Sequence, residues 1–245
     1  MNTSGNSFLI TGGATGIGMA LAAELVRRGN DVLICGRRAD RLAEAKQQIP
    51  ELETVAADVS SPAARRELLE LVRRRSPRVN VLVNNAGIQQ LVDFTAGERD
   101  LTKADEEMAI NLVAPIHLSA LFIPYLAELP QAAIVNISSG LGFAPLAHMP
   151  VYCATKAALH SLTLSMRHQM RNTSIRVFEV IPPTVASELG ASHRPAGVNA
   201  AAMPAETAAT LIADALSRDD YEFALGEAAN LVARREAMFP FMNRR

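Results

Sequence analysis

Residues 7–26 read SFLITGGATGIGMALAAELV, and this stretch decides the fold class. SFLIT has the composition of a β-strand, GMALAAELV has the apolar spacing of a helix, and a glycine-rich turn of the form TGxxxGxG joins them. Glycines at such a junction let backbone N–H groups approach a diphosphate, and the helix N-terminus favours negative charge. The turn predicts a dinucleotide site, although a plain strand-to-helix connection would also fit the turn alone. The predicted contacts are Gly12, Thr15, Gly16, Ile17 and Gly18.

Short apolar runs alternate with helical patterns along the rest of the chain. Residues 32–35 (VLIC), 80–84 (NVLVN), 133–137 (AIVNI) and 175–181 (IRVFEVI) are continuous apolar runs, as expected of parallel strands that are covered on both faces. The alternation predicts a single α/β domain over residues 1–245, built on a Rossmann-type doubly wound parallel sheet.

Composition and charge narrow the class of partner. The chain has 245 residues, 49% of them hydrophobic, and a formal net charge of −1, so a large core is expected and no strong field attracts nucleic acid or an anionic membrane. A small-molecule partner is favoured. No basic start precedes an apolar run, and no unbroken run reaches the roughly 18 apolar residues of a membrane span, so a cytoplasmic protein is expected. Cys35 and Cys153 lack metal-ligand spacing, which predicts two reduced core thiols and no metal site.

The end of the second predicted strand indicates which dinucleotide is bound. A site that prefers NAD would offer an acidic residue to the ribose hydroxyls there, whereas this chain has Gly36 followed by Arg37 and Arg38. Guanidinium groups suit a 2′-phosphate because their planar fork matches phosphate oxygens. The sequence therefore predicts NADP(H) in preference to NAD(H). The alternative is that the arginines are solvated loop charges, and this applies more to Arg38 than to Arg37.

The next two strand ends supply further predicted cofactor contacts. The third strand is predicted to end in Asp58 and Val59, where side chain and backbone could hold an adenine edge. The fourth strand ends in NNAG, residues 84–87, at the carboxyl edge where open α/β sheets bind ligands. Asn84 is expected to bridge strands. The predicted cofactor contacts of this motif are Asn85, Ala86 and Gly87.

Tyr152 and Lys156 lie four residues apart in PVYCATKAALHSLTLSM, residues 150–166. Positions i and i+4 share one helix face, so both polar groups can reach one small region. The pKa of a phenol is about 10, and poising it near neutral pH needs about 4 kcal/mol of preference for the phenolate, which a lysine can supply. The pair predicts general acid/base chemistry, but taken alone it also fits a surface helix with a half-buried Tyr ring and a Lys that extends to solvent.

Two more polar residues occupy unusual places. Ser139, in the motif ISS, could donate to a substrate oxygen, or it could cap the turn that follows the fifth strand. Asn111 interrupts the apolar helical stretch AINLVAP, where a buried polar side chain needs a partner.

The order and spacing of these motifs resemble the short-chain dehydrogenase/reductase family along nearly the whole chain, in the branch with a TGxxxGxG turn and YxxxK. Segments such as NVLVNNAGIQ and AAIVNISSGLGFAP are similar to those of the DltE-type oxidoreductases, a name that fixes no substrate. The resemblance implies that Tyr152 is the acid/base, that Lys156 also holds the nicotinamide ribose, and that Asn111 positions a water that relays protons through Lys156. The catalytic residues so implied are Asn111, Ser139, Tyr152 and Lys156.

The resemblance also implies an assembly. The helices around residues 111–125 and 152–170 are apolar on more than one face, which predicts a homo-oligomer. In the family such helices pair across a two-fold axis, so a homodimer or homotetramer is expected.

Together these features predict an NADP(H)-dependent oxidoreductase that transfers a hydride between nicotinamide and a carbonyl or hydroxyl group of a small, largely apolar substrate. The alternative is an NADPH-binding sensor without turnover. The irregular, Gly/Pro/Ser-rich segment 184–203 predicts a substrate loop. The other residues predicted to border the pocket are Gln89, Gln90, Leu141, Phe143, His148 and Met149.

One position departs from the family pattern. The family commonly has Pro-Gly after the sixth strand, whereas this chain has Pro182-Pro183. Pro183 has no N–H to donate, so Thr184 and Val185 are predicted to make the nicotinamide contacts of this loop.

Overall fold

A computed structural model of the protein describes residues 1–190 and 202–243. Within that part of the chain, seven strands form one sheet in the order β3-β2-β1-β4-β5-β6-β7, and every neighbouring pair is parallel. The predicted doubly wound α/β sheet is therefore confirmed. The strands are β1 (Ser7–Thr11), β2 (Asp31–Gly36), β3 (Glu53–Ala56), β4 (Val81–Asn84), β5 (Ala132–Ile137), β6 (Ile175–Ile181) and β7 (Glu222–Ala224).

Helices connect successive strands, and local sequence marks where several of them begin. Ser61 caps α3 by accepting a hydrogen bond from Ala64 N, and Pro62 and Pro150 stand in the first turns of α3 and α6, where a missing N–H costs nothing. The helices are α1 (Gly16–Arg27), α2 (Ala39–Gln48), α3 (Pro62–Arg75), α4 (Leu101–Met108), α5 (Ala114–Leu126), α6 (Pro150–Gln169), α7 (Ala205–Ser217), α8 (Ala228–Arg234) and α9 (Phe239–Met242).

Shorter helical turns complete the described structure. Helix α8 ends at Arg234, where the next residue, Arg235, adopts a positive φ of 48°, and α9 follows as a separate helix. A π-helical turn, Ala109–Val113, joins α4 to α5. The remaining 3₁₀ turns are Phe94–Asp100, Gly140–Gly142 and Arg235–Met238.

Alternate residues of each central strand enter opposite halves of the core. Phe8 and Ile10 of β1 pack with side chains of α1 and α7, whereas Leu9 packs on the other face with side chains of α3 and α5. Both faces are covered, which explains why the strands read as continuous apolar runs.

The change of direction in strand order creates a crevice between β1 and β4. The chain moves outward from β1 to β2 and β3, then returns to place β4 on the other side of β1. Turns that follow these two strands therefore diverge at the carboxyl edge of the sheet, where open α/β sheets bind ligands.

A buried polar pair joins the central strands, as expected for Asn84. Asn84 and Asn136 are in register on β4 and β5, and Asn84 Nδ2 donates to Asn136 Oδ1 at 2.8 Å. Asn136 Nδ2 donates in turn to Thr163 Oγ1 of α6 at 2.8 Å, and Ser119 Oγ of α5 lies 3.3 Å from Asn84 Nδ2. The polar row fixes α5 and α6 over the sheet.

The helical stretch Phe94–Leu126 is long and apolar enough to pass a length-and-composition test for a membrane span. Polar residues such as Asn111 interrupt the stretch, so it is not an unbroken apolar run. Half of its most apolar window is buried, and Leu118 and Phe122 of α5 pack in the core. Burial of this kind is typical of a core helix, so the stretch carries no argument for a membrane.

Candidate active site

A cavity opens over the carboxyl edge of the sheet and brings most of the predicted site residues together. The predicted residues that line it are Gly12, Thr15, Gly16, Ile17, Arg37, Arg38, Asp58, Val59, Asn85, Ala86, Gly87, Tyr152 and Lys156. The predicted residues outside its lining are Gly18, Asn111, Ser139, Thr184 and Val185. Lining residues that the sequence did not indicate include Ile88, Ile110, Ile137, Ser138 and Pro182, whereas Ser187, Glu188 and Leu189 belong to the predicted substrate loop.

Thr11 joins the turns that follow β1 and β4, a role that was not predicted from the sequence. Its Oγ1 accepts hydrogen bonds from the N–H groups of Asn85 and Ala86, both at 3.0 Å, and donates to Val83 O at 3.2 Å. In the other direction, Asn85 Nδ2 donates to Thr11 O and Gly12 O at 2.9 and 3.1 Å. The turns after β1 and β4 are thereby held as one unit. The sequence signal that could have indicated this role is the threonine that begins TGG, residues 11–13.

Two positions of the turn must be glycine because neighbouring atoms leave no room for a Cβ. Gly12 has a φ of 64°, and a Cβ there would lie 2.8 Å from Ala86 Cα. A Cβ on Gly18 would lie 2.5 Å from both Gly12 O and Asn85 Nδ2. Gly18 therefore packs α1 onto the turn, behind the cavity wall.

Helix α1 begins at this turn with its N-terminal groups uncapped by side chains. Thr15 precedes the helix without making a side-chain cap, and the first turn contains no acidic residue. The exposed N–H groups and the helix dipole make this end of α1 suited to an anion.

The two arginines at the end of β2 line the cavity and pair with acidic residues. Arg37 Nη1 lies 3.1 Å from Glu106 Oε1, and Arg38 Nη1 lies 3.1 Å from Glu188 Oε2. Arg38 Nη2 also donates to Thr15 Oγ1 at 3.4 Å. Both guanidinium groups are about half exposed, so solvent weakens these pairs and leaves the arginines available to a stronger anion.

Asp58 and Val59 lie beyond the strand that was expected to contain them. β3 ends at Ala56, and the Asp58 carboxylate accepts hydrogen bonds from Ser60 N and Ser60 Oγ at 2.9 and 2.8 Å. Val59 O accepts from Arg65 Nη1 at 2.5 Å. A side-chain hydrogen bond to the following backbone favours a turn over a strand, which is why β3 stops early.

Tyr152 and Lys156 share one face of α6, and both are buried. Their relative exposures are 5% and 4%, so the surface-helix alternative is wrong. Lys156 Nζ donates to Ile137 O at 2.8 Å and lies 5.8 Å from the centroid of the Tyr152 ring. Burial lowers the pKa of Lys156 to about 8, while the nearby carboxylates of Glu107 and Glu179 act in the opposite direction.

Asn111 stands in the π-helical turn and is fully buried. Its Oδ1 accepts from Ile88 N at 2.9 Å, its Nδ2 donates to Ile88 O at 2.8 Å, and Thr155 Oγ1 lies 3.4 Å from the same Nδ2. Asn111 therefore satisfies the expectation of a partner by tying the loop after β4 to the helix. π-Helical turns are rare in proteins overall, and those that occur often lie at functional sites.

Ser139 caps the turn after β5, one of the two roles considered for it. Its Oγ accepts from Leu141 N at 3.1 Å at the start of the Gly140–Gly142 turn. The adjacent Ser138 lines the cavity, and its hydroxyl donates to Val180 O at 3.2 Å. A substrate contact by Ser139 stays a prediction.

Glu107 is a buried acidic residue of the site that the sequence did not indicate. It lies on α4 with no exposed surface, and its Oε1 accepts from Gln90 N at 2.8 Å. Burial raises the pKa of the Glu107 carboxyl to about 7, against the effects of the Gln90 hydrogen bond and of Lys156. In the polar stretch KADEEM nothing distinguishes Glu107 from its solvated neighbour Glu106.

A second buried carboxylate lies behind Lys156. Glu179 of β6 has no exposed surface, and its Oε2 lies 2.8 Å from Nδ1 of His160 on α6. Glu222 of β7 brings a third ligand-type side chain, so that one atom from each lies within 4.8 Å of the others. Glu222 is exposed and lies 3.9 Å from the Arg167 guanidinium, so the group supports no metal assignment.

The predicted substrate side is only partly described. Met149 packs against Tyr152, and Leu141 packs against the same cluster. The prediction for Phe143 is wrong, because its ring is 4% exposed and packs in the core against Ile181 and Ala228. The hydrophobic effect draws this large ring beneath α8 instead of toward the cavity.

Three other residues predicted to border the pocket lie outside the lining of the cavity. Gln89 and Gln90 are partly exposed, and His148 is exposed, with its carbonyl accepting from Val92 N at 3.4 Å. Of the predicted substrate loop, residues 191–201 lie outside the described residues, and residues 187–189 line the cavity.

Thr184 and Val185 lie outside the lining of the cavity. Ala186 N donates to Met203 O and Met203 N donates to Thr184 O, at 2.9 and 3.0 Å. Val185 is 4% exposed in the core. This pairing ties the backbone at Thr184 and Ala186 to Met203, and the predicted nicotinamide contact of Thr184 and Val185 stays a prediction.

Known proteins share this architecture. Residues 6–197 match a family model described as short chain dehydrogenase. A Bacillus subtilis (strain 168) protein named as the uncharacterized oxidoreductase DltE is 52% identical over 194 residues, which cover 79% of this chain and 77% of that protein.

Solved structures show the same fold. A short chain dehydrogenase/reductase from Burkholderia phymatum in complex with NAD aligns with a TM-score of 0.88 and 21% identity, over 100% of this chain and 97% of that chain. A short chain dehydrogenase from Burkholderia cenocepacia J2315 in complex with NADP aligns with a TM-score of 0.83 and 23% identity, over 96% and 94% of the two chains. With the family match across most of the sequence and a buried Tyr–Lys pair in the cavity, the chain belongs to the short-chain dehydrogenase/reductase family, and it is an oxidoreductase that uses a nicotinamide cofactor.

Proposed function

We propose that the protein is an NADP(H)-dependent carbonyl reductase or alcohol dehydrogenase that acts on a small, largely apolar substrate. One observation carries the proposal: a single cavity is lined both by Arg37 and by the buried Tyr152 and Lys156. A phosphate-binding group and an acid/base pair thus share one binding space.

The described residues fit the cofactor. The uncapped start of α1 suits the diphosphate, and Asp58 and Val59 border the adenine end. Lys156 borders the nicotinamide end, where it would hold the ribose hydroxyls. When bound, the cofactor supplies or accepts the hydride.

Tyr152 is the proposed acid/base. In the reducing direction its hydroxyl donates a proton to the carbonyl oxygen of the substrate, and in the oxidising direction its phenolate accepts the proton of the alcohol. The Lys156 cation favours the phenolate because opposite charges attract strongly in a buried site. Asn111 fixes the loop beside Lys156 and is the proposed anchor of the proton-relay water.

The preference for NADP(H) rests on the residues after β2. Gly36 offers no carboxylate to the ribose hydroxyls, while Arg37 offers a planar cation to a 2′-phosphate. Glu106 engages Arg37 at 3.1 Å. A phosphate carries more charge than one carboxylate, and we infer that it displaces Glu106.

A homo-oligomer is the proposed assembly. Ile116 on α5 and Leu164 on α6 are 38% and 44% exposed, which leaves apolar surface on the outer faces of these helices. Pairing of the two helices with a second copy would cover it. Light scattering that gave the 26.3 kDa monomer mass at micromolar concentration would remove the idea.

A steady-state screen of NADPH oxidation against a panel of aliphatic and aromatic carbonyl compounds tests the function. Turnover of at least one compound by the wild type, and its loss in Tyr152→Phe, would support the enzyme. NADPH binding without turnover of any compound would instead indicate the sensor.

A further inference from the structure

Glu107 is buried in a place where an ionised carboxylate is costly. It has no exposed surface, its Oε1 accepts a single hydrogen bond from Gln90 N, and its Oε2 has no hydrogen-bond partner among the described residues. An ionised carboxylate without full pairing is strongly disfavoured at such a site. A positive charge nearby is needed if Glu107 is to ionise.

Lys156 provides that charge across the interface between α4 and α6. Each group shifts the pKa of the other toward its charged form, while burial opposes both charges. Helices α4 and α6 pack against each other, and both groups are buried. Loss of one charge would therefore weaken the other.

Other titratable groups also face this pair. Glu106 acts on Glu107 from its own helix, and Glu179 acts on Lys156 from β6. On α6 the Cys153 thiol faces Glu107, which adds to the effect of burial in raising the pKa of the thiol.

Glu107 also binds the loop of residues 87–90, which passes close to Lys156. Glu107 and Asn111, one helical turn apart, bind Gln90 N and both backbone groups of Ile88. Within the same loop, a Cβ placed on Gly87 would lie 3.8 Å from Lys156 Nζ and 3.4 Å from Asn111 Oδ1. The loop that Glu107 binds therefore passes close to the lysine.

We propose that Glu107 is a positioning residue for the Tyr152–Lys156 pair: its carboxylate keeps Lys156 protonated in a buried site and thereby keeps the Tyr152 phenol acidic. The proposal deepens the proposed function, since it rests on the acid/base role of Tyr152. The charge on Glu107 acts through Lys156 and needs no contact with the substrate.

Removal of the Glu107 charge should shift the ionisation of Tyr152 in one direction only. Glu107→Gln keeps the size and the acceptor for Gln90 N, but it removes the group that favours the Lys156 cation. Lys156 then loses its proton at lower pH, and the phenolate of Tyr152 loses its stabilising cation. Tyr152 should ionise at higher pH. If Glu107 only held the loop, the glutamine would preserve that hydrogen bond and leave the ionisation unchanged.

Tyrosinate ultraviolet absorbance measures this without any turnover, because the chain has three tyrosines and no tryptophan. The titration is run on wild type, Glu107→Gln and Asp105→Asn, each with and without Tyr152→Phe to identify the Tyr152 step. Asp105 is an exposed acid on the same helix, so its variant controls for a general loss of negative charge. Thermal melts by circular dichroism establish that each variant is folded.

The proposal expects the Tyr152 step to rise by about one pH unit in Glu107→Gln, at the low end of the range for a nearby charge, and to stay in place in Asp105→Asn. An unchanged step in folded Glu107→Gln would overturn it. Should that variant not fold, Glu107→Leu replaces it, because an apolar residue often substitutes well for a buried charge. Failure of both to fold would make Glu107 structural and would also overturn the proposal. Absence of turnover in the carbonyl screen would refute the proposed enzymatic function. The tyrosinate titration would still give a result, because it requires no turnover.

Discussion

Asn111 bonds both backbone groups of Ile88, accepting from its N–H at 2.9 Å and donating to its C=O at 2.8 Å. One side chain thereby replaces the hydrogen bonds that a strand would give to this buried loop. The contact fixes the loop that borders Lys156, so its removal should affect both stability and activity.

Asn111→Ala is expected to lower the free energy of unfolding by about 1–3 kcal/mol for each backbone group of Ile88 that loses its partner. Urea unfolding followed by circular dichroism measures the loss. Asn230→Ala, an exposed helical position on α8, is the matched control and should change stability by no more than about 0.5 kcal/mol. Equal stability of the two variants would show that the Asn111 contacts are weak.

Arg37→Ala is expected to weaken NADPH binding by about 1.5–3 kcal/mol, the range for hydrogen bonds to charged groups, and to leave NADH almost unchanged. The reason is that only NADPH carries the 2′-phosphate. Fluorescence titration with both cofactors measures the difference. Arg41→Ala is the control, because Arg41 is partly exposed nearby but does not line the cavity. Equal loss for both cofactors in Arg37→Ala would contradict the assignment.

Glu106→Gln should have the opposite effect on NADPH. Glu106 competes with the phosphate for Arg37 through an exposed ion pair, and such pairs contribute about 0.2–1 kcal/mol. NADPH affinity should therefore rise by up to about fivefold, while NADH affinity stays constant. Weaker NADPH binding in this variant would mean that Glu106 orients Arg37 instead of competing for it.

Cys35 should not react with thiol reagents while the protein is folded. Both cysteines are buried and reduced, as predicted, and burial raises the pKa of Cys35 from 9.0 to about 12. Because the folded pKa lies above the unfolded one, the stabilisation from the neutral thiol is fully present below pH 9.0 and is lost as the pH rises toward 12.

Mass spectrometry after exposure to a maleimide at pH 8 checks this prediction. No label is expected on the native protein, and two labels are expected after denaturation in urea. The variant Cys153→Ala assigns any native label to one thiol. Rapid labelling of Cys35 in the folded protein would show that its strand opens locally.

The local parts of the site could be predicted from the sequence. The turn after β1 is set by its own glycines, and the Tyr152–Lys156 spacing places both side chains on one face of a helix whatever the surroundings. These features depend on residues that are close in the chain, so pattern and stereochemistry suffice.

Features that depend on tertiary contacts could not be predicted. The partners of Arg37 and Arg38 lie 69 and 150 residues away in the chain. The burial of Glu107 follows from the packing of α4 on α6, which its polar sequence neighbours conceal. Phe143 was misplaced for the same reason, since α8 covers it from far along the chain.

Lys156→Ala should impair two properties at once. It removes the cation that favours the Tyr152 phenolate, and it removes the proposed contact with the nicotinamide ribose. The rate of carbonyl reduction and the affinity for NADPH should both fall, as stopped-flow reduction and cofactor titration would show. Loss of rate with unchanged affinity would limit Lys156 to the electrostatic role.

The most direct test of the central claim is the rate of the chemical step in Tyr152→Phe, measured by stopped-flow on a carbonyl compound that the wild type reduces. The ring keeps its packing and only the hydroxyl is lost, so fold and NADPH affinity should be nearly unchanged. The account predicts a fall in rate at the upper end of the approximate 10²–10⁴-fold range for general acid/base groups. Retention of more than about a tenth of the wild-type rate, with chemistry limiting, would show that the Tyr152 phenol is not the proton donor.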